Sequence, residues 1–198
     1  MDAEELLRRY ATGERDFSGV NLSRWLHNLS NTNLRGIILV GANLHSADFD
    51  GADLEGADFS KAILDNATMV GANLVEAILE KSNLCEVDLS GADLSRAIMR
   101  KAFMIESGLD GADLSRRADL RDANLQSAGL DDAILIEANL RGCTLINTVF
   151  RQADLNGADL SNTNLAGANL SKADLTDTNL DGCFFCNTIM PDGSIGNN

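Results

Sequence analysis

The sequence is poor in the residues that interrupt or cross-link a fold. It contains 1 proline, 1 tryptophan and 1 tyrosine in 198 residues, and aromatic residues make up 5% of the chain. The proline, Pro191, lies near the carboxyl end, so it removes no backbone N–H donor from the residues before it. The four cysteines, Cys85, Cys143, Cys183 and Cys186, are spaced too irregularly for a disulfide framework or a zinc ribbon. We expect them to be reduced.

Long apolar runs and an excess of basic residues are also missing. No apolar run approaches the roughly 18 residues of a membrane-spanning helix, and the segment MDAEELLRRYATGERDF lacks the apolar stretch of a signal peptide. We therefore expect a cytoplasmic protein with no membrane association. The 16 basic residues against 30 acidic ones give a net charge of −14, which argues against direct binding to nucleic acid.

The chain has instead a strict period of five. Leucine, phenylalanine or methionine recurs at every fifth residue from Leu29 to Met190, with one slip after Leu114. In a helix such residues would spread around the axis, and in a flat strand they would alternate between the two faces. The period keeps them on one side only if the chain turns a corner once in every repeat.

The remaining positions of the repeat agree with an extended triplet followed by a turn. The residue two places before each central residue is small, usually alanine, and shares its inward direction because side chains two apart in an extended segment point the same way. Cys143 and Cys183 occupy this small position and are interpreted as core residues. In each repeat the residue between the small and the central position points outward and is usually Asp or Asn. The last two positions favour Gly, Ser, Asp, Asn and Lys, which are turn residues.

This pattern, A-[DN]-[LF]-x-x, resembles the pentapeptide-repeat family. The segments GADLEGADFSKAILDNA and QADLNGADLSNTNLAGANLSKADL match it closely, and the resemblance extends from Phe17 to Met190. It implies an all-β solenoid, a right-handed quadrilateral β-helix of about eight coils, with roughly four repeats in each coil. Both termini resemble those of cyanobacterial members of the family.

Three segments are predicted along the chain. Residues 1–13 form a capping helix, with Asp2 at its N-cap and with Leu6, Leu7 and Tyr10 on the face that packs over the first coil. Residues 14–190 form the β-helix. Residues 191–198 form a tail, which we expect to be a turn followed by a frayed end.

The chain is expected to be irregular at the two segments that interrupt the period of five. The segment SRWLHN, which contains Trp25, adds two residues before Leu29 and predicts an irregular first coil under the helix. The pair Arg116 and Arg117 adds one residue and should bulge outward. This bulge is either a tolerated insertion or a functional feature, and the sequence leaves both interpretations open.

Motifs for catalysis, cofactors and metals are missing from the sequence. There is no Gly-rich phosphate loop, nucleophile elbow or spaced set of histidine, cysteine and carboxylate ligands. The two histidines, His27 and His45, lie in different coils, and acidic residues such as Asp53, Asp93 and Asp113 follow from the repeat itself. We expect no enzymatic activity, no cofactor and no metal.

Two surfaces depart from the average repeat. Stacking the sequence coil on coil predicts a basic strip and an apolar patch on two adjacent faces. The basic strip consists of Lys61, Lys81, Lys101, Arg100, Arg121 and Arg141, and the apolar patch of Ile38, Ile63, Ile78, Ile98 and Phe103. The strip either receives an anionic partner surface or is neutralised by Glu80 and neighbouring carboxylates. The patch is either a protein interface or an expression of strand propensity alone.

Two hypotheses for the function follow. The first is a non-enzymatic scaffold that presents its flat faces to an unidentified protein partner or to a second copy of itself. The alternative, implied by the resemblance, is an acidic rod that imitates duplex DNA and binds DNA gyrase or topoisomerase. The absence of projecting loops and of a hydrophobic C-terminal dimerisation segment counts against the alternative.

Overall fold

A computed structural model describes residues 1–22 and 28–198 of the chain. Its regular elements are helix α1 (Ala3–Ala11), strand β1 (Thr188–Ile189) and strand β2 (Ile195–Gly196). The intervening described chain consists of turns joined by single-residue parallel β-bridges. Within these described ranges no helix has the length and apolarity needed to cross a membrane. The predicted irregular first coil around Trp25 lies in residues 23–27, outside the described residues.

The bridges connect the outward residues into four columns, each of which defines one face of a four-sided solenoid. The first face carries Asp16, Ile38, Asp58, Ile78, Ile98, Asp119, Asn139, Asp159 and Asn179. The second face carries Asn21, Asn43, Ile63, Asn83, Phe103, Asn124, Thr144, Asn164 and Phe184. The third face carries Asn28, Asp48, Thr68, Asp88, Gly108, Gly129, Val149, Asn169 and Ile189. The fourth face carries Asn33, Asp53, Asn73, Asp93, Asp113, Ile134, Asp154 and Asp174. These columns confirm the solenoid predicted from the period of five.

Most corners are tight turns with the same hydrogen bonds. The N–H of the small residue that ends the turn donates to the carbonyl of the central residue that begins it, as Ala62 does to Phe59 at 2.9 Å. The second turn residue adopts a positive φ, such as 59° at Lys61, and its N–H donates to the next coil, in this case to Glu80 at 2.9 Å. Such a φ is unfavourable for residues with a Cβ atom, so these inter-coil bonds hold the backbone in a conformation that it would not adopt alone.

The interior is filled by the inward residues of the repeat. The central residues from Leu29 to Leu170 are fully buried, and the side chains of Phe49 and Phe59 pack edge to face with ring centroids 5.9 Å apart. Each buried leucine contributes about 1.5–3 kcal/mol to stability. Where the small position is polar it is also satisfied, since the buried hydroxyl of Ser82 donates to the carbonyl of Leu79 at 2.7 Å.

The predicted N-terminal helix is present as α1, which packs against the N-terminal end of the solenoid. Asp2 is the N-cap, and its carboxylate accepts a hydrogen bond from the N–H of Glu5 at 2.9 Å. Leu6 is fully buried in the core, while Tyr10 is partly buried and donates its hydroxyl to the carbonyl of Arg35 at 2.9 Å. The helix thereby covers part of the described N-terminal end of the solenoid, which would otherwise expose an open edge.

The C-terminal tail is ordered by the last coil, and the expectation of a frayed end is wrong. Strands β1 and β2 pair antiparallel, with Ile189 opposite Ile195. Asn198 accepts a hydrogen bond from the N–H of Phe185 at 2.8 Å and donates its side-chain amide to the carbonyl of Cys183 at 2.7 Å. Backbone groups left unpaired at the end of a β-helix need partners, and the tail supplies them.

The insertion after Leu114 forms the predicted outward bulge. Arg116 and Arg117 are both exposed and both have positive φ values, of 57° and 71°. The bridge register absorbs the extra residue, because Ile98 pairs with Asp119 and the columns continue without a break.

Candidate protein interface

The basic residues identified in the sequence lie at one corner of the solenoid, between the first and second faces. We call this the basic corner, and it consists of Lys61, Lys81, Arg100, Lys101, Arg121 and Arg141. Backbone hydrogen bonds stack its members coil on coil: the N–H of Lys81 donates to the carbonyl of Arg100, and that of Lys101 to the carbonyl of Arg121, both at 3.0 Å. The structure thus brings the predicted strip together as one row.

Two carboxylates neutralise part of the basic corner. Glu80 lies 3.1 Å from the Nζ of Lys81 and 3.0 Å from the guanidinium of Arg100. Asp119, on the first face, lies 2.7 Å from Arg121 and 3.8 Å from Arg100. Lys81, Arg100 and Arg121 are therefore all ion-paired, and the two carboxylates offset two of their three charges.

These contacts keep both carboxylates ionised. The hydrogen bond from Arg121 lowers the pKa of Asp119 below 3.8, outweighing the opposing effect of partial burial. The hydrogen bond from Lys81 likewise lowers the pKa of Glu80, with a further contribution from the charge of Arg100. The ion pairs therefore persist across the physiological pH range.

The other three cations of the basic corner have no ion-pair partner, although the carboxylate of Asp122 lies in the same corner turn as Arg121 and adds one negative charge to the row. Lys61, Lys101 and Arg141 are exposed and form no ion pair with any residue that the structure describes. On other parts of the solenoid several cations pair with carboxylates one coil away, as Arg96 does with Glu76 at 2.9 Å. Three unpaired cations at one corner are notable on a protein whose net charge is −14.

The apolar residues divide between the two faces that meet at this corner. Ile38, Ile78 and Ile98 lie half-buried on the first face, where Asp58 separates Ile38 from the other two. Ile63 and Phe103 lie on the second face and are 41% and 53% exposed. Asn83 stands between them in the column, so the exposed apolar groups of the second face alternate with amides.

The second and fourth faces differ most in charge. The described outward residues of the second face carry no charge, whereas those of the fourth face include the five carboxylates Asp53, Asp93, Asp113, Asp154 and Asp174. The uncharged second face borders the basic corner. The surface around Phe103 is accordingly the part of the solenoid where the acidic character of the chain is weakest.

The acidic residues of the fourth face have a structural role that the sequence interpretation did not identify. The Asp93 carboxylate accepts a hydrogen bond from the N–H of Ser95 at 3.0 Å, and Asp113 accepts one from Ser115 at 2.8 Å. Asparagine makes the same bond on the second face, where Asn83 accepts from Cys85 at 3.2 Å. The outward Asp or Asn thus caps the N–H of the following turn. The sequence signal for this capping role is the preference for Asp and Asn at one position of the repeat.

The other polar groups singled out in the sequence have local partners. The Nδ1 of His45 lies 2.7 Å from Asp65, one coil away, while His27 lies outside the described residues. All four cysteines are free, and burial raises the pKa of Cys143 to about 12. In the described ranges no group of three or more histidine, cysteine, aspartate or glutamate residues is placed to hold a metal ion.

A family model for pentapeptide repeats matches the chain in 8 copies. The matched segments include residues 28–66, 52–91, 62–101, 77–116, 116–152, 133–171 and 153–190. They span nearly the whole solenoid. No curated protein matches the chain.

Solved structures with similarity to the chain include two cyanobacterial proteins. HetL of Nostoc sp. strain PCC 7120, described as a pentapeptide repeat protein involved in the regulation of heterocyst differentiation, is 34% identical over 99% of this chain and 100% of its own, with a TM-score of 0.47. Rfr23 of Cyanothece 51142 is 21% identical over 91% of this chain and 94% of its own, with a TM-score of 0.21. A trypsin-treated form of QnrB1, a plasmid-mediated fluoroquinolone resistance protein, is 20% identical over 85% of this chain and 89% of its own, with a TM-score of 0.47.

Proposed function

The chain belongs to the pentapeptide-repeat family, and from that premise we propose that it is a non-enzymatic scaffold whose second face and basic corner bind a protein partner or a second copy of the chain. Members of this family fold as right-handed quadrilateral β-helices, in agreement with the four columns of bridges. Because side chains fill the interior, a partner can contact the outward residues but not the inward ones.

The observation that carries the proposal is the exposure of Phe103. Its side chain is 53% exposed at mid-solenoid, on a face with no charged outward residue in the described chain. Aromatic side chains surrounded by uncharged groups are typical of the centres of protein interfaces, where charged residues are depleted. Ile63 extends the apolar surface on the same face.

Folding alone does not account for phenylalanine at this position. An asparagine or aspartate there would cap the N–H of Ile105, as Asn83 caps Cys85 one coil earlier and Asn124 caps Gln126 one coil later. Phe103 forgoes that hydrogen bond and exposes an apolar ring to water. Binding to another protein would offset both losses.

The test is affinity capture from a lysate of the organism that encodes the protein, with Phe103→Asn as the binding variant. Asparagine is the residue that neighbouring coils place in this column, so the substitution should leave the fold intact. Ile134→Asn is the matched control, because Ile134 is also exposed, at 39%, but lies on the opposite, fourth face. We expect a partner that wild type and Ile134→Asn retain and Phe103→Asn loses.

Retention of every partner by Phe103→Asn would contradict the proposed surface. Self-association is checked in parallel by light scattering of the purified protein. If the second copy is the partner, wild type and Ile134→Asn should form dimers, and Phe103→Asn should remain monomeric.

The acidic fourth face favours the alternative function, a DNA-like rod that binds DNA gyrase or topoisomerase. Its column of five carboxylates presents regularly spaced negative charge, which is the feature such a protein would use. The alternative predicts inhibition of gyrase supercoiling at micromolar concentration. It further predicts that the double variant Asp93→Asn, Asp113→Asn loses the inhibition, since asparagine retains the turn cap and removes the charge. Supercoiling that is unaffected by wild-type protein would dismiss this alternative.

A further inference from the structure

The basic corner has a spacing that restricts what can lie along it. Its cations occupy five successive coils, from Lys61 to Arg141, and consecutive coils of a β-solenoid are about 4.8 Å apart. The row is therefore about 19 Å long, with at least one cation at each step. Lys61, Lys101 and Arg141 are the members without ion pairs in the described chain, so positive charge is available at both ends of the row and at its centre.

An α-helix matches this spacing better than an extended strand does. One turn of helix rises about 5.4 Å, so carboxylates placed once per turn on one stripe would meet the cations coil by coil, with a mismatch of about 0.6 Å per step. Side chains on one face of an extended strand repeat at about 6.8 Å and would fall out of register after two coils. The corner thus favours a helix that runs parallel to the solenoid axis.

The apolar groups beside the corner fit the same helix. Ile63 and Phe103 are two coils apart on the second face, a separation of about 9.6 Å. Apolar residues at positions i and i+7 of a helix are about 10.5 Å apart on one side. An amphipathic helix with an apolar stripe next to an acidic stripe would therefore contact the second face and the basic corner at once.

We infer that the occupant of this surface is an acidic amphipathic α-helix of a partner protein, which lies along the solenoid axis with its carboxylates on the basic corner and its apolar stripe on Ile63 and Phe103. The inference rests on the proposed function and specifies the chemistry of the partner. The remaining surface strengthens the specificity, because the carboxylates of the fourth face repel an acidic helix that approaches from the opposite side.

The test uses a synthetic probe helix of about 18 residues, rich in alanine, with glutamates once per turn on one stripe and leucines at i and i+7 on the neighbouring stripe. A second peptide has the same composition with a central proline that disrupts the helix, and a third has lysine in place of glutamate. A single-stranded oligonucleotide of equal negative charge tests for nucleic acid as the ligand instead. Binding is measured by fluorescence anisotropy.

Lys101→Glu is the diagnostic variant and Lys172→Glu its matched control. Both lysines are exposed second residues of a corner turn, with φ values of 57° and 61°, and neither forms an ion pair in the described chain. They differ in location, since Lys172 lies at the corner between the third and fourth faces. Glutamate occupies the same turn position at Glu106, with a φ of 58°, so neither substitution introduces a new backbone conformation.

We expect the acidic helix to bind wild type, Lys101→Glu to weaken binding about fivefold, and Lys172→Glu to change it by less than about twofold. Tighter binding of the proline-disrupted peptide, the lysine peptide or the oligonucleotide than of the acidic helix would overturn the inference. Equal effects of the two lysine variants would overturn it as well.

The Phe103→Asn variant separates this inference from the proposed function. If Phe103→Asn loses its cellular partner while the acidic helix fails to bind wild type, the docking surface stands and the acidic helix is refuted as its occupant. If Phe103→Asn binds both the cellular partner and the probe helix as well as wild type does, the proposed surface and the inference are both refuted.

Discussion

The second and fourth faces are opposite sides of one solenoid, and they share the same interior but expose different chemistry. Behind both lie fully buried leucines, such as Leu84 behind the second face and Leu94 behind the fourth. Outside, the second face alternates amides with Ile63 and Phe103, whereas the fourth presents five carboxylates. The repeat constrains the inward positions closely and the outward position only weakly. Differences in the outward column are therefore where partner recognition can vary without changing the fold.

The outward column also separates structural from functional residues. Most members of the fourth face cap the turn that follows them, as Asp93 and Asp113 do. Phe103 makes no such bond, so the turn caps of the repeat do not account for its presence on the second face. The comparison predicts that substitutions on the two faces will affect stability and binding in opposite ways.

The largest effect is expected in the interior that both faces share. Leu94→Asp buries a carboxylate with no partner in a fully buried position, and we expect it to destabilise the protein by more than about 4 kcal/mol and to unfold it at 25 °C. Circular dichroism and thermal unfolding measure the change. The neighbouring Asp93→Asn is the control and should remain folded, and a folded Leu94→Asp would refute the assignment of inward positions.

A moderate effect is expected from removal of a turn cap on the fourth face. Asp113→Ala leaves the N–H of Ser115 without its 2.8 Å acceptor, and we expect a loss of about 1 kcal/mol in the free energy of unfolding. Asp113→Asn keeps an acceptor and should lose less than half of that. Denaturant titration compares the three proteins, and equal stability of wild type and Asp113→Ala would show that the cap is dispensable.

A smaller effect of opposite sign is expected on the second face. Phe103→Asn supplies the missing cap for Ile105 and removes an exposed ring, so we expect a gain of about 0.5 kcal/mol in stability together with loss of partner binding. Thermal unfolding and affinity capture of the same sample test both halves. Loss of stability in Phe103→Asn would mean that the ring is required by the fold, and would remove the main support for an interface.

The smallest effect concerns the pH dependence of the basic corner. The hydrogen bond from Arg121 lowers the pKa of Asp119 below its ordinary value of 3.8, so this contact stabilises the folded state above that pH and is lost as the pH falls through the lowered folded-state pKa. Arg121→Gln should therefore be slightly less stable than wild type at pH 6, and the difference is small because the pair is exposed to solvent. The difference in stability between Arg121→Gln and wild type should disappear at acid pH, where Asp119 is protonated. A difference that is independent of pH would assign the loss to packing instead of to the ion pair.

Much of this architecture could be predicted from the sequence because every coil repeats the same constraint. The inward leucines, the small alanine position, the helix capped by Asp2 and the outward bulge at Arg117 all follow from local patterns. The ordered tail could not be predicted in this way. Its order depends on Asn198 reaching the backbone of Phe185 and Cys183, which are distant in sequence and carry no pattern that links them to the tail.

The position of the candidate site could be predicted from the sequence, but the ion pairing of its cations could not. Stacking the repeats placed the six cations of the basic corner in one row. Which of them stay unpaired depends on side-chain directions: Glu80 contacts both Lys81 and Arg100, while Lys61 is left exposed one coil away. The turn caps were missed because the outward Asp and Asn residues were attributed to the repeat without a hydrogen-bonding role.

The most direct test of the account is a photo-crosslinking comparison of the two faces. A photoreactive phenylalanine analogue replaces Asn83, which lies between Ile63 and Phe103 on the second face, or Asp93 on the fourth face, and both proteins are irradiated in the presence of the captured partner. The account predicts a covalent adduct from position 83 and none from position 93. An adduct formed at position 93 alone would contradict it, because the partner would then bind the acidic side of the solenoid.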